Sequence, residues 1–306
     1  MKLEIYPFLI LVGMAGMRLM VPVLFAALGE IITERSGVFN LSIEGVMLIG
    51  AFVMYLGTEY FNNMLFGAAF TLLAGLMIGS ILAFFYVTLR ANQAAVGLSF
   101  WFLLIGITSY LHRLIFGVLL VPIPITPLSP INIPILQEIP LIGPIVFNQN
   151  IMVYAAIIIT VIVGIILTKT TMGLKIKSAG INPLAVQAQG INVRRLRFLS
   201  VMFGTMMIAL GGGYMAIELG VFDDRMIAGR GWMAIGVTVF SGWSAYKALG
   251  GAFLFGVVDA LQIQLQVLFP GWPYQILMML PFIVTIVVLA LTSRKVVYPS
   301  ALGIPF

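Results

Sequence analysis

Apolar stretches long enough to cross a lipid bilayer recur from one end of this sequence to the other, and nothing else in it restricts the fold as strongly. A hydrocarbon core is roughly 30 Å thick and takes about 20 helical residues to cross. Candidate spans fall near 8–29, 43–58, 64–89, 94–111, 150–168, 198–220, 230–243, 249–269 and 273–292, nine in all. Over 306 residues, 61% of side chains are hydrophobic and 8% charged, with a mean hydropathy of +1.14. No ordinary soluble domain has that balance. No polar segment is large enough to fold separately, so the expected fold is all-α: one polytopic helical membrane domain covering residues 1–306. The first run lacks a basic leader and a small-residue cleavage site, and is expected to be a retained helix.

Lysine and arginine are distributed unevenly between the two sides that nine spans create. One side receives Arg35, Arg90, Lys169, Lys175, Lys177, Arg194, Arg195, Arg197, Lys247, Arg294 and Lys295; the other receives Lys2, Arg113, Arg225 and Arg230. Eleven against four, with Arg18 inside the first span, puts the rich side in the cytosol and the N-terminus outside. The net charge of +6 is therefore a topology signal. Without a basic patch interleaved with aromatics, it does not point to nucleic acid.

Two loops differ from the short connections elsewhere. Residues 121–149 carry seven prolines and a single charge, Glu138, which predicts an extended, stiffened extracytoplasmic loop with little regular structure. The cytosolic loop 169–197 holds "SAGINPLAVQAQGIN". Asn182 suits an N-cap, Pro183 a first helical position and Gly190 a stop, which marks a short helix over 183–189. So short a helix is marginal in water and needs something to dock on. Leu184, Ala185 and Ala188 supply a small face that would fit a cleft on a cytosolic partner; an amphipathic segment resting on anionic headgroups satisfies the same pattern.

The stretch "ERSGVFNLSIEG" at 34–45 interrupts two apolar runs. Non-helical backbone at membrane depth survives only where protein or a water-filled cavity surrounds it, so a discontinuous helix near 36–44 is expected beside a transport pathway. Asn40 and Ser42 can cap the next helix and Glu44 can sit in its first turn, where the helix dipole favours an anion; Asn40 and Glu44 are also candidates to touch a substrate. Asp259, Gln262 and Gln266 line one helix face, either toward a polar solute or as staples between helices. Asn92 and Gln93 open the fourth span as cap or gate. Trp101 and Trp232 could stack on a ring or anchor at the interface. Gly211, Gly212 and Gly213 permit close helix approach.

Several chemistries are excluded. The chain has no cysteine and one histidine, His112, so thiol catalysis and Cys- or His-based metal clusters are out; no cofactor or metal is called for. No G-x-x-x-x-G-K-[ST] loop occurs in the sequence, so the chain does not itself cradle ATP phosphates in that way. An ion-coupled secondary transporter stays open as the lesser alternative: it would place acidic or His relays in several spans, whereas only Glu44, Glu218 and Asp259 fall within spans away from their ends. A membrane-embedded enzyme would need a nucleophile and base that the sequence does not pair.

Four segments taken together, "TERSGVFNLSIEGVMLIGAF", "RANQAAVGLSFWFLLIGITSYLHRLIFG", "GLKIKSAGINPLAVQAQGINVRRLR" and "GRGWMAIGVTVFSGWSAYKALGGAFLFGVVDALQIQLQ", resemble the permease subunits of bacterial ABC importers for simple sugars and nucleosides, most of all the shorter of the paired nucleoside permeases. The resemblance implies a multi-pass subunit of the bacterial inner membrane that is not itself an enzyme. It also implies a second permease, a cytosolic ATPase, an extracytoplasmic substrate-binding lipoprotein and a nucleoside or sugar as solute. In its terms Asn182, Pro183, Leu184, Ala185, Ala188 and Gly190 form the coupling helix that docks on the ATPase, and Asn40, Glu44, Gln93, Trp101, Asp259, Gln262 and Gln266 are candidates for the pathway. Val21 departs from the pattern, since many relatives carry Thr before this proline.

Overall fold

The computed structural model describes residues 5–117, 121–132, 134, 136–292 and 297–306; Lys2, Arg294 and Lys295, counted in the charge asymmetry, lie outside them. The elements are α1 (Ile5–Arg35), α2 (Ile43–Phe61), α3 (Met64–Ala83) continuing into a π-turn (Phe84–Thr88), α4 (Gln93–Phe116), β1 (Pro130–Asn132), a 3₁₀ turn (Leu136–Glu138), α5 (Ile142–Phe147), β2 (Asn148–Asn150), α6 (Ile151–Lys169), α7 (Thr171–Ile181), α8 (Pro183–Ala188), α9 (Val193–Leu219), α10 (Arg230–Phe240), α11 (Ala245–Leu268), α12 (Tyr274–Met278) and α13 (Leu280–Thr292). Among the described residues, eight segments are long and apolar enough to cross a membrane: α1, α2, α3 with its π-turn, α4, α6, α9, α11, and α12 with α13.

The expected span at 230–243 is built differently. Its helix, α10, has 11 residues, about 16 Å at 1.5 Å per residue and half of a bilayer core. Residues 220–229 before it form turns and irregular backbone. Asp224 in this segment lies 3.7 Å from His112 toward the C-terminal end of α4. The far end of α10 is reached by Arg35 of α1, which donates to the Gly242 and Trp243 carbonyls at 3.0 and 3.2 Å. A non-helical half and a helical half thus connect the two sides, next to the eight segments that are long and apolar enough to cross a membrane among the described residues. Arg230, assigned from sequence to the sparse side, lies inside the bundle at the start of α10.

Helix α9 packs against α1, α2 and α3 at once. Lipid tails are as apolar as leucine, so helices in a membrane gain little from hiding leucine from lipid and associate through close packing over small residues. The three glycines of α9 show this directly. A Cβ on Gly211 would stand 2.7 Å from the Pro22 carbonyl oxygen of α1, one on Gly212 would overlap the Met47 carbonyl of α2, and one on Gly213 would stand 3.1 Å from Met54 of α2 and Thr71 of α3. Val21, next to the proline, is fully buried in the same core.

The proline-rich loop has more regular structure than its composition suggests. β1 pairs antiparallel with β2, Pro130 opposite Asn150, and α5 lies against α1. The pairing satisfies backbone groups that an extended cap would leave to water. Asn150 then begins α6 by accepting from the Val153 N–H at 3.1 Å, and donates to Glu218 of α9 at 2.7 Å. Glu218 also faces Arg18 at 3.7 Å, so this intramembrane acid belongs to a network under the loop.

Candidate functional site

Helix α1 passes its expected end at 29 and stops at Arg35, where Gly37 takes φ +94°. That left-handed conformation is cheap only for a residue without Cβ, and it ends the helix. Residues 38–42 then run back without helical structure beside the last turns of α1. Asn40 lies in this break and is fully buried. Its amide donates to Glu30 Oε1 at 2.8 Å, and its carbonyl accepts from Ser42 N at 3.1 Å, Ser42 Oγ at 2.7 Å and Tyr86 OH at 3.1 Å. Ser42 occupies the N-cap position of α2, but its hydroxyl makes no capping bond; it is committed to Asn40 instead. Gln93 joins the break from α4, its Oε1 accepting from Phe39 N at 2.7 Å while Nε2 has no partner among the described residues. Asn92 caps α4 through the Ala95 N–H at 3.0 Å.

Glu44 sits in the first turn of α2, as expected, but its carboxylate serves another helix. Oε1 accepts from Gly229 N at 2.6 Å and Oε2 from Gly231 N at 2.8 Å. The first amides of any helix lack intrahelical acceptors and carry the positive end of its dipole, so the half-buried Glu44 carboxylate there satisfies both needs of α10. Ala228 at φ +49° and Gly229 at φ +85° turn the chain into this cradle. Gly231 is required by proximity, since a Cβ would come within 2.6 Å of Glu44 Oε2.

Around this junction the structure gathers several of the expected residues. Arg230 pairs with Asp259 of α11 at 2.8 Å, with both side chains largely buried. The Trp101 and Trp232 rings meet edge to face at 5.2 Å, and the buried Trp101 indole N–H has no acceptor among the described residues. Gln262 and Gln266 continue the Asp259 face of α11, half-buried and without a hydrogen bond to any described residue. A cavity of about 230 Å³ opens beside Glu44, lined also by Ile105, Arg225 and Ala228. Glu44, Trp101 and Asp259 thus share one neighbourhood, while Asn40 and Gln93 belong to the helix break.

Four functional-looking groups escaped the sequence. Glu30 and Glu34 are fully buried in α1, and the Trp243 indole N–H donates to Glu34. A first span ending at 29 leaves Glu30 out of the helix and puts Glu34 in the polar stretch 34–45, whereas α1 continues to Arg35 and Gly37 ends it. Arg197 is 1% exposed and donates to the Ser36 carbonyl at 3.0 Å and the Ile304 carbonyl at 2.8 Å. Trp243, at φ +55°, had no sequence signal beyond its neighbour Gly242. Among the described residues, no three His, Asp or Glu are placed to hold a metal ion.

At the basic end, α8 forms as its punctuation requires. Asn182 Oδ1 accepts from Ala185 N at 3.1 Å, Pro183 takes the first position and Gly190 stops the helix at φ +80°. Val186 anchors it while Leu184, Ala185 and Ala188 face outward. The preceding α7, which composition did not announce, starts where Thr170 Oγ1 accepts from Gly173 N at 3.2 Å. Burial, and then the neighbouring Arg35 guanidinium, push the Lys177 ammonium of α7 below its usual range. A cleft of about 760 Å³ lies between Arg90, Gln187, Arg194 and Phe306.

Comparison with known proteins agrees with this architecture. The family model described as branched-chain amino acid transport system / permease component matches residues 14–289. The chain is 35% identical to the guanosine ABC transporter permease protein NupQ of Bacillus subtilis over 93% of its own length and 92% of that protein's. It is 31% identical to the putative glucose ABC transporter permease protein TsgC13 of Haloferax volcanii over 91% and 92% of the two chains, and 31% identical to the nucleoside ABC transporter permease protein NupC of Lactococcus lactis over 93% of each. No solved structure matches it. With eight membrane-length helices and a family match over most of its length, the chain belongs to this family of ABC transporter permease components: a multi-pass transport subunit of the cell membrane, not an enzyme.

Proposed function

We propose that this permease forms the translocation pathway of an ATP-driven importer for nucleosides, together with a second, paralogous permease, a cytosolic ATPase and an extracytoplasmic substrate-binding lipoprotein. The observation that carries the reading is the junction at Glu44. The half-buried Gln262 and Gln266 side chains and the buried Trp101 indole N–H have no hydrogen-bond partner among the described residues, and Trp101 and the Asp259 face of α11 that carries both glutamines adjoin a carboxylate-anchored helix start. Unpaired polar groups in hydrocarbon cost several kcal/mol each, so they need water, solute or the second permease. A nucleoside offers hydroxyls and ring nitrogens for the amides and a π-face for the indoles. The names of NupQ and NupC support the same class.

In this reading the basic end is cytosolic, α8 docks on the ATPase, and the proline-rich loop faces the binding lipoprotein. TsgC13 favours a second reading, a simple sugar as solute. Uptake of labelled guanosine, cytidine and glucose by cells with and without this gene separates the two: gene-dependent nucleoside uptake is expected, and gene-dependent glucose uptake alone would replace the assignment. Docking is tested by Ala185→Glu, which should remove the ATPase from the purified complex while the permease still inserts; an ATPase that stays bound with normal uptake would overturn the role of α8.

A further inference from the structure

We infer that residues 297–306 are a transmission strap, positioned by Arg197, that ties α7–α8 to both helix discontinuities, the 36–42 break and the α10–α11 turn. The inference rests on the docking role proposed for α8. The strap's contacts reach three separate elements. Its Ala301 N–H donates to the Gly180 carbonyl of α7 at 2.8 Å, and its Gly303 N–H donates to the Gly37 carbonyl of the break at 3.2 Å. The Tyr298 ring meets Trp243 edge to face at 5.0 Å, and Trp243 reaches α1 through Glu34 and Arg35.

Arg197 holds the assembly from beneath. One guanidinium binds the Ser36 carbonyl, the Ile304 carbonyl and, at 3.5 Å, the Ala179 carbonyl of α7; its Cζ stands 5.7 Å from the Phe306 ring centre. A buried cation is costly unless its donors are used, and these acceptors come from the break, the strap and α7 together. Moving any one of the three therefore leaves Arg197 short of a partner unless the others follow. The geometry has a consequence at mid-depth. The 36–42 break leads into α2, which carries Glu44, and the α10–α11 turn closes α10, whose first amides Glu44 holds. A push on α8 enters α7 through Asn182, is divided by the strap between the two discontinuities, and arrives at both sides of the Glu44 junction.

The test uses the whole transporter in proteoliposomes, measuring labelled guanosine imported and ATP hydrolysed in the same vesicles. Tyr298→Ala and Phe306→Ala should leave the ATPase bound and hydrolysing while import falls, raising ATP consumed per guanosine by about fivefold, the scale of coupling carried by side chains remote from both ligands. Tyr298→Phe keeps the ring on Trp243 and should keep the wild-type ratio. A merely structural role would lower import and hydrolysis together. An unchanged ratio in both alanine variants, with either rate pattern, overturns the strap. Failure of the α8 docking role is seen separately, as an ATPase retained by Ala185→Glu; absence of ATP-driven import in the wild type would overturn the transport reading and the strap with it.

Discussion

The Glu44 carboxylate accepts the Gly229 N–H at 2.6 Å across 185 residues of sequence, so the first turn of α2 supplies the cap that α10 lacks in its own sequence. Gly229 is a left-handed residue with no side chain to cap with. The short helix begins inside the bundle only because another helix brings it an anion.

Replacing Glu44 with Gln tests this directly. Glutamine has one acceptor oxygen and an NH₂ that cannot accept, so either the Gly229 or the Gly231 N–H loses its partner. A charge-assisted bond of this kind is worth about 1.5–3 kcal/mol. The expected outcome is a lower unfolding temperature in detergent and reduced uptake. Wild-type stability and transport in Glu44→Gln would show that α10 starts without the carboxylate.

Asp259 and Arg230 form a buried pair, and removing one member leaves the other charge in a poor solvent for it. Asp259→Ala should cost about 3–5 kcal/mol, read as loss of folded protein on size-exclusion chromatography. The double variant with Arg230→Ala should recover part of the yield, and equal damage in single and double variants would mean that the pair is not a unit.

The Gln262 side chain has no hydrogen-bond partner among the described residues, so Gln262→Leu should change uptake or its selectivity among nucleosides at an unchanged melting temperature. Earlier melting with unaltered transport would make this residue a helix staple.

The glycines of α9 offer a matched contrast. Gly212→Ala places a methyl into the Met47 backbone and should abolish folded yield, whereas Gly106→Ala on α4 meets nothing within 4 Å and should behave as wild type. Equal yields would show that α9 packs less closely than the contacts indicate.

Because the chain has no cysteine, single introduced thiols report sidedness cleanly. Leu184→Cys, 70% exposed on α8, should react with an impermeant reagent only in broken cells, and Tyr60→Cys, 78% exposed in the last turn of α2, in intact ones. The reverse pattern would invert the topology.

Length and hydropathy alone determined that this chain crosses a membrane repeatedly, because an apolar run of about 20 residues has few other places to go. Local chemistry determined α8 as well, since Asn182, Pro183 and Gly190 act on their own backbone. The polar stretch likewise predicts a discontinuity near 36–44, which the structure realises over 36–42 with Gly37 at its start. What lay beyond them was every contact between distant segments. Half of one crossing is irregular backbone, and no run length distinguishes that from a helix; the strands in the proline-rich loop exist because β1 meets β2. Sequence spacing reports only neighbours along one axis, so it offers Glu44 its own helix or a substrate but not the start of α10, and Asn40, a reasonable cap by position, is claimed by Glu30, Ser42 and Tyr86 together. A buried polar group is satisfied by whatever donor or acceptor the packing brings within 3 Å, and in this chain packing brings partners from more than a hundred residues away.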